Sequence, residues 1–233
     1  MHVTGKSRYP ARMAEPLLRH ATAPVHGRYL VQPPSSGAAD LWLVGFHGYA
    51  QSAAQFLPDV ARAASAGRWL VASVQALHPF YTKRDEVVAN WMTREDREHA
   101  IADNIGYVDA VGDALEREFG APRAIVYAGF SQGVAMAWRA AMRGRRSAAA
   151  IVTAGGDVAP DVLDATRPWP RVLMLTGGID PWYTPERLAA EAARLRGLGA
   201  DVRTQVFDGG HEWGDAVAEA AAELLAQLDE GLS

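Results

Sequence analysis

The feature that most constrains the fold is an alternation of short apolar runs with longer amphipathic stretches, clearest in the second half of the chain. The short runs are typical of buried strands, whereas the longer stretches repeat apolar residues at three- and four-residue steps, as helices do. Strands that alternate with helices of this length build βαβ units around a mostly parallel sheet. We therefore predict an α/β fold, a twisted sheet with helices on both faces.

The same patterns give approximate bounds. The predicted strands are 25–31, 41–46, 69–75, 124–129, 148–155, 171–177 and 201–207, and the predicted helices are 52–65, 94–119, 132–143, 185–198 and 213–230. A chain of 233 residues fits one α/β domain, so we expect a single domain over 25–233 after an N-terminal extension, 1–24. The segment 76–93 is long for a connection between strand and helix, and it contains no insertion that could form a lid domain.

Composition excludes several classes of function. The chain has no cysteine, which rules out disulfides, thiolate metal sites and a cysteine nucleophile, and agrees with a cytoplasmic location. A net charge of −4 with scattered basic residues gives no reason to expect a nucleic acid partner. No apolar run approaches the length of a transmembrane helix, so we expect no stable membrane insertion. Clustered metal-ligand motifs such as H-E-x-x-H are missing, so we predict no metal.

The motif Gly129-Phe130-Ser131-Gln132-Gly133 follows a predicted strand and opens a predicted helix. A G-x-S-x-G motif alone is a weak signal, but this context is that of a nucleophile elbow, in which a serine is presented on a sharp turn. The structural alternative is that Ser131 only caps the helix.

A serine hydroxyl needs a base and a group that orients the base. Asp180 follows the strand at 171–177, and His211 follows the last strand, so with Ser131 they lie at carboxyl ends of strands in the order Ser…Asp…His. Asp157, after the preceding strand, is a rival acid. Asp208 is too near His211 on the same loop to be preferred.

The loop after the strand at 41–46 should supply one of two backbone donors for an oxyanion. We assign these donors as the N–H groups of Tyr49 and Gln132. His47 is expected to hold this loop through hydrogen bonds rather than to act as a base.

The segments "GFHGYAQSAAQF", "AGFSQGVAMA", "TGGIDPWY" and "GGHEW" together resemble the α/β-hydrolase superfamily, in particular the phospholipase/carboxylesterase family, which includes acyl-protein thioesterases. The resemblance covers residues 25–230. It implies a Ser-His-Asp hydrolase without a cofactor, carried by Ser131, Asp180 and His211. One departure is the loop after the first core strand, where the family often has HG-x-G-D/E and this chain has "HGYAQ".

Aromatic and apolar residues flank these positions and are candidates for a substrate pocket, although ordinary core packing is an equally good reading of each. The candidates are Phe80, Trp91, Met92, Trp182, Tyr183 and Trp213.

We therefore expect a carboxylesterase acting on small-molecule esters of small to medium acyl chain. Thioester or lysophospholipid cleavage by the same triad is the first alternative. A non-catalytic binding protein that keeps the fold is the second. The apolar surface helices can support a homodimer, but nothing in the sequence selects one.

Overall fold

A central sheet of seven strands organises the computed structural model, which describes residues 16–35, 37–65 and 67–232. The strands of this sheet are β1 (Tyr29–Gln32), β2 (Leu41–Phe46), β3 (Leu70–Val74), β6 (Ala124–Phe130), β7 (Ala150–Ala154), β8 (Arg171–Gly177) and β9 (Val202–Phe207), and a separate pair is formed by β4 (His78–Tyr81) and β5 (Val87–Asn90). The helices are α1 (Ala53–Ala63), α2 (Arg97–Phe119), α3 (Gln132–Arg143), α4 (Pro185–Gly197) and α5 (Asp215–Leu232).

The strand order in the sheet is β1-β3-β2-β6-β7-β8-β9. Every neighbouring pair is parallel except β1 with β3, which is antiparallel at one edge. The carboxyl ends of β2, β6, β7, β8 and β9 therefore open onto one rim of the sheet. In open α/β sheets this rim is where ligands bind.

The sheet separates two apolar cores, and side chains of a strand alternate between them. In β2, Trp42, Val44 and Phe46 enter the core beneath α2, α3 and α4, whereas Leu41 and Leu43 enter the core beneath α1 and α5. Because both faces are covered, the central strands are buried along their whole length. This burial explains why they appear in the sequence as nearly continuous apolar runs.

The segment 76–93, predicted as a long loop, instead contains the antiparallel hairpin of β4 and β5. The prediction was wrong because β4 carries Pro79 and is largely exposed, so it lacks the apolar pattern of a strand. The hairpin is attached to the loop after β2 by the backbone of Ala89, which bonds Ala50 at 3.1 Å and Gln51 at 2.8 Å.

Part of the N-terminal extension can also be placed. Residues 1–15 lie outside the described residues, and 16–28 are exposed and contain no helix or strand. His20 reaches the start of α2, where its Nε2 lies 2.8 Å from Asp96 Oδ1 and its ring is 4.7 Å from that of His99. None of the helices in the described ranges is long and apolar enough to cross a membrane.

Candidate active site

Ser131 lies at the sharp turn where β6 ends and α3 begins. Its backbone has φ 52° and ψ −118°, a strained combination for a residue with a Cβ. A Cβ on Gly129 would lie 2.5 Å from the carbonyl oxygen of Gly133, and a Cβ on Gly133 would lie 2.0 Å from that of Phe46. The glycines on both sides of the serine are therefore needed to bring β6, α3 and the end of β2 this close together.

The side chains of Ser131, His211 and Asp180 form one hydrogen-bonded chain. His211 Nε2 is 2.8 Å from Ser131 Oγ, and His211 Nδ1 is 2.7 Å from Asp180 Oδ2. The serine follows β6, the aspartate follows β8, and the histidine follows β9, so the three come from separate strand ends. With Nδ1 donating to the carboxylate, Nε2 is free to accept the serine proton, which is the geometry of an activated nucleophile.

Asp180 is buried and is held ionised by donors on both of its oxygens. Oδ1 accepts the backbone N–H groups of Trp182 at 2.8 Å and Tyr183 at 3.0 Å, while Oδ2 faces His211. Burial by itself raises the pKa of this carboxyl, but the bonds from Tyr183, His211 and Trp182 outweigh it, so the pKa of Asp180 lies below its usual range. The carboxylate therefore stays charged where it can orient the imidazole.

The rival acid Asp157 does not join this chain. It is exposed and forms an ion pair with Arg187 at 2.5 Å. Asp208 is exposed as well, on the loop after β9. Of the three carboxylates considered from the sequence, only Asp180 bonds the histidine.

The two residues predicted to supply the oxyanion donors, Tyr49 and Gln132, line the same cleft as Ser131. Gly48 packs against the serine, since a Cβ on it would lie 3.3 Å from Ser131 Cβ, and its own N–H donates to Gln51 Oε1 at 2.7 Å. The next N–H along the loop, that of Tyr49, has no acceptor among the described residues, nor does the N–H of Gln132 at the start of α3. Both amides are therefore available to an incoming oxygen.

His47 is fully buried beneath this loop. Its Nδ1–H donates to the carbonyl of Gly48 at 2.7 Å, and its Nε2 accepts the N–H of Ala76 at 3.0 Å. Burial lowers the pKa of His47 to about 4, and the bond to the Gly48 carbonyl opposes this only in part. A neutral imidazole bonded at both nitrogens holds the loop in place, as the sequence predicted.

Two glycines after β7 also touch the catalytic candidates, and sequence reasoning did not include them. Gly155 has φ +64°, and a Cβ on it would lie 3.0 Å from two atoms of the His211 ring and 3.2 Å from Asp180 Oδ2. A Cβ on Gly156 would lie 2.4 Å from the carbonyl oxygen of Ser131. The paired glycines at a strand end, in "TAGGD", are the signal that could have revealed them.

Comparison with known proteins adds to this geometry. No protein-family model matches the chain, and no curated protein matches it in sequence. Solved structures do match. Esterase PE8 has a TM-score of 0.73 at 23% identity, covering 87% of this chain and 99% of its own. The Bacillus cereus carboxylesterase has a TM-score of 0.71 at 17% identity, covering 86% and 94%.

The chain has the α/β-hydrolase fold. A carboxylesterase from Mesorhizobium loti also matches, with a TM-score of 0.70 at 18% identity over 86% of this chain and 94% of that one. The α/β fold predicted from the alternation of strands and helices, and the hydrolase fold implied by the resemblance, are thereby confirmed.

In this hydrolase fold, a cleft of about 690 Å³ opens beside Ser131 at the carboxyl rim of the sheet. Three of the six predicted pocket residues line it, namely Met92, Trp182 and Tyr183. Trp182 is 66% exposed, and its ring stands edge-on to that of His211 at 4.6 Å. Tyr183 is anchored below by its hydroxyl, which donates to Glu191 at 2.7 Å.

The other three predicted pocket residues do not line the cleft. Trp91 is fully buried, with its indole N–H donating to the carbonyl of His47 at 2.8 Å. Trp213 packs into the core beneath α1 and α5, edge-on to Phe56. Phe80 lies on the hairpin and stacks on Tyr49 at 5.5 Å, outside the lining. Loop position does not fix the direction in which a side chain points, so the sequence could not separate these three residues from those that line the cleft.

The side chain of Gln132 is a further contact that was missed, since only its N–H had been considered. Its Oε1 accepts the N–H of Trp91 at 2.9 Å, and its Nε2 donates to the carbonyl of Met92 at 3.0 Å. The residue after the nucleophile therefore also fixes the segment that follows β5, which forms one wall of the cleft.

No group of three or more histidine, aspartate and glutamate side chains that could hold a metal ion occurs in the part of the chain that the structure describes. The groups beside the cleft that can take part in acyl transfer include the Ser131 hydroxyl, the His211 imidazole and the Asp180 carboxylate.

Proposed function

We propose that this chain is a serine hydrolase that cleaves carboxylic esters, and that it belongs to the phospholipase/carboxylesterase family. The observation that carries the proposal is the hydrogen-bonded chain from Ser131 through His211 to Asp180, beside a cleft. The likeness to the esterase PE8 and to two bacterial carboxylesterases supports it.

In the first half-reaction, Ser131 Oγ attacks the ester carbonyl while His211 Nε2 takes the hydroxyl proton. The carbonyl oxygen gains negative charge, and the N–H groups of Tyr49 and Gln132 donate to it. Collapse of this intermediate breaks the bond to the alcohol, which leaves with the proton from His211. The serine then carries the acyl group as an ester.

In the second half-reaction, His211 takes a proton from water, and the resulting hydroxide attacks the acyl-serine. Collapse returns the proton to Ser131 and releases the carboxylic acid. Asp180 remains ionised through both halves, keeping Nδ1 protonated and stabilising the imidazolium as it forms. Atoms balance as one ester and one water giving one alcohol and one acid.

The substrates we propose are esters of small to medium acyl chain, which a cleft of about 690 Å³ can accommodate. The same chemistry would cleave a thioester or a lysophospholipid. A panel of 4-nitrophenyl esters and acyl thioesters of graded chain length ranks these substrates by kcat/KM.

The direct test is labelling by a fluorophosphonate together with hydrolysis of 4-nitrophenyl acetate. We expect the native chain to react with both, and Ser131→Ala to lose the label and several orders of magnitude in rate. Ser147→Ala, an exposed serine at the opposite end of the sheet, is the matched control and should keep both activities. A folded native sample that neither takes the label nor hydrolyses the ester would overturn the proposal in favour of a binding protein.

A further inference from the structure

Three arginines line the same cleft as Ser131, namely Arg94, Arg97 and Arg139. The pocket residues predicted from the sequence were all aromatic or apolar, so these arginines were not among them. Hydrolysis of a neutral ester by the proposed mechanism uses uncharged backbone N–H donors and needs no cation. The three arginines in the wall of the cleft therefore need a separate explanation.

Arg139 is the unusual member, because its side chain is only 1% exposed, in the middle of α3. Its Nε and Nη2 donate to Asp161, with the shortest contact 2.7 Å. Its Nη1 faces only the sulfur of Met92, at 3.9 Å, which is a weak acceptor. Nη1 of this buried guanidinium, which belongs to the lining of the cleft, therefore has no oxygen partner among the described residues.

The carboxylates Asp161 and Asp157, on the arginine side of the cleft, are already paired with arginines. Asp161 is shared between Arg139 and Arg143, so two cations compete for one anion. Asp157, the one acid among the described residues that line the cleft, is paired with Arg187 at 2.5 Å.

Arg94 and Arg97 add to the excess from the rim. Both are exposed, just before α2 and at its first residue, and neither has a carboxylate within ion-pair distance in the described ranges. The adjacent Asp96 is engaged by His20 at 2.8 Å. The cleft thus has an aromatic side at Trp182 and a cationic side at these arginines.

We propose that the substrate carries an anionic group, a carboxylate or a phosphate, which binds on the arginine side of the cleft while its ester carbonyl lies at Ser131. Guanidinium groups bind both kinds of anion through paired N–H donors. This inference rests on the proposed esterase function and names the class of ester it acts on.

The test compares esters that carry an anionic group with neutral esters of similar shape. 4-Acetoxybenzoate and 4-acetoxyphenyl phosphate are paired with the neutral 4-acetoxybenzamide, which places the anion in the leaving group. Mono-4-nitrophenyl suberate is paired with 4-nitrophenyl octanoate, which places it at the far end of the acyl chain. Intrinsic reactivity cancels when the charged-to-neutral ratio of kcat/KM is compared between variants.

For at least one pair, we expect the double variant Arg94→Ala/Arg97→Ala to lower this ratio about tenfold, mainly through KM of the charged ester. The Arg94→Lys/Arg97→Lys variant keeps the charges and should retain most of the ratio. Arg171→Ala, an exposed arginine at the amino end of β8, is the matched control and should leave it unchanged. The native ratio should also fall as ionic strength rises.

The two proposals fail in different ways. If the neutral esters are hydrolysed in a Ser131-dependent manner but no pair gives a ratio that depends on Arg94 and Arg97, the anionic substrate is refuted and the esterase function stands. If no ester is hydrolysed, both proposals fall. If the ratio does depend on Arg94 and Arg97, comparing kcat/KM for 4-acetoxyphenyl phosphate and 4-acetoxybenzoate shows whether the anion is a phosphate or a carboxylate.

Discussion

The side-chain oxygen of Gln132 accepts the backbone N–H of Trp91 at 2.9 Å, so the residue after the candidate nucleophile holds the wall of its own cleft. We expect Gln132→Ala to raise KM for esters about tenfold, because Met92 loses its anchor, and to lower the free energy of unfolding by about 1–3 kcal/mol, because a buried N–H loses its acceptor. Steady-state kinetics and urea denaturation measure the two effects.

The matched control for that variant is Gln75→Ala. Gln75 also accepts a backbone N–H through its side-chain oxygen, that of Ala53 at 2.7 Å, but it does not line the cleft. We expect Gln75→Ala to reduce stability to a similar extent and to leave KM unchanged. An unchanged KM in Gln132→Ala as well would show that the amide has no part in shaping the cleft.

The carboxylate of Asp180 should be essential for rate but not for folding. An amide at this position would stop holding Nδ1 of His211 protonated, so Asp180→Asn should lower kcat by about three to four orders of magnitude. Asp157→Asn removes the rival acid, and its effect on kcat should be at least about a hundredfold smaller, since Asp157 pairs with Arg187. Equal losses in the two variants would contradict the assignment.

Gly155 limits how closely a side chain can approach the imidazole. Gly155→Ala combines an unfavourable φ of +64° with a Cβ 3.0 Å from the His211 ring, so we expect both a lower stability and a kcat at least about tenfold lower. Gly199→Ala is the control for the backbone alone. Its φ is +87° with open space around the new Cβ, so it should be destabilised without losing kcat.

His47 should make the protein less stable in acid. Its pKa is lowered from 6.5 to about 4 on folding, so the unfolded chain takes up a proton first as the pH falls. Stability is therefore unaffected above pH 6.5, is lost progressively between about 6.5 and 4, and does not change further below that through this group. The full loss is roughly 3 kcal/mol.

Denaturation by urea at several pH values measures this dependence. In His47→Gln the contribution is removed, so the slope of stability against pH between about 6.5 and 4 should be smaller than in the native chain, even though the variant starts from a lower stability. Parallel slopes in the two proteins would show that other groups cause the acid sensitivity.

Much of the fold could be predicted because a strand that is buried on both faces, such as β2, appears in the sequence as a continuous apolar run. The hairpin could not be predicted, because β4 is largely exposed and contains Pro79, and the backbone bonds that attach the hairpin to the loop after β2 join residues far apart in the sequence. The order of Ser131, Asp180 and His211 along the chain was informative because strand ends converge at one rim.

The lining of the cleft was harder to predict than its catalytic end. Trp91 and Met92 are adjacent in sequence, yet one is buried and the other borders the cleft. Arg139 was overlooked, although a charged residue inside the apolar stretch "GVAMAWRAAM" indicates a buried charge that needs an ion-pair partner. A domain beginning at residue 25, a cytoplasmic location and a homodimer stay predictions.

The attachment of the hairpin has a kinetic consequence. Its segment is fixed from three directions, by Gln51 to Ala89 at 2.8 Å, by Gln132 to Trp91, and by Asn104 to the Trp91 carbonyl at 2.7 Å. A wall held in this way is not a flap that must swing aside before an ester can enter. Initial rates should therefore follow a simple hyperbola through the solubility limit of a long-chain ester, with neither a lag nor a jump when droplets form.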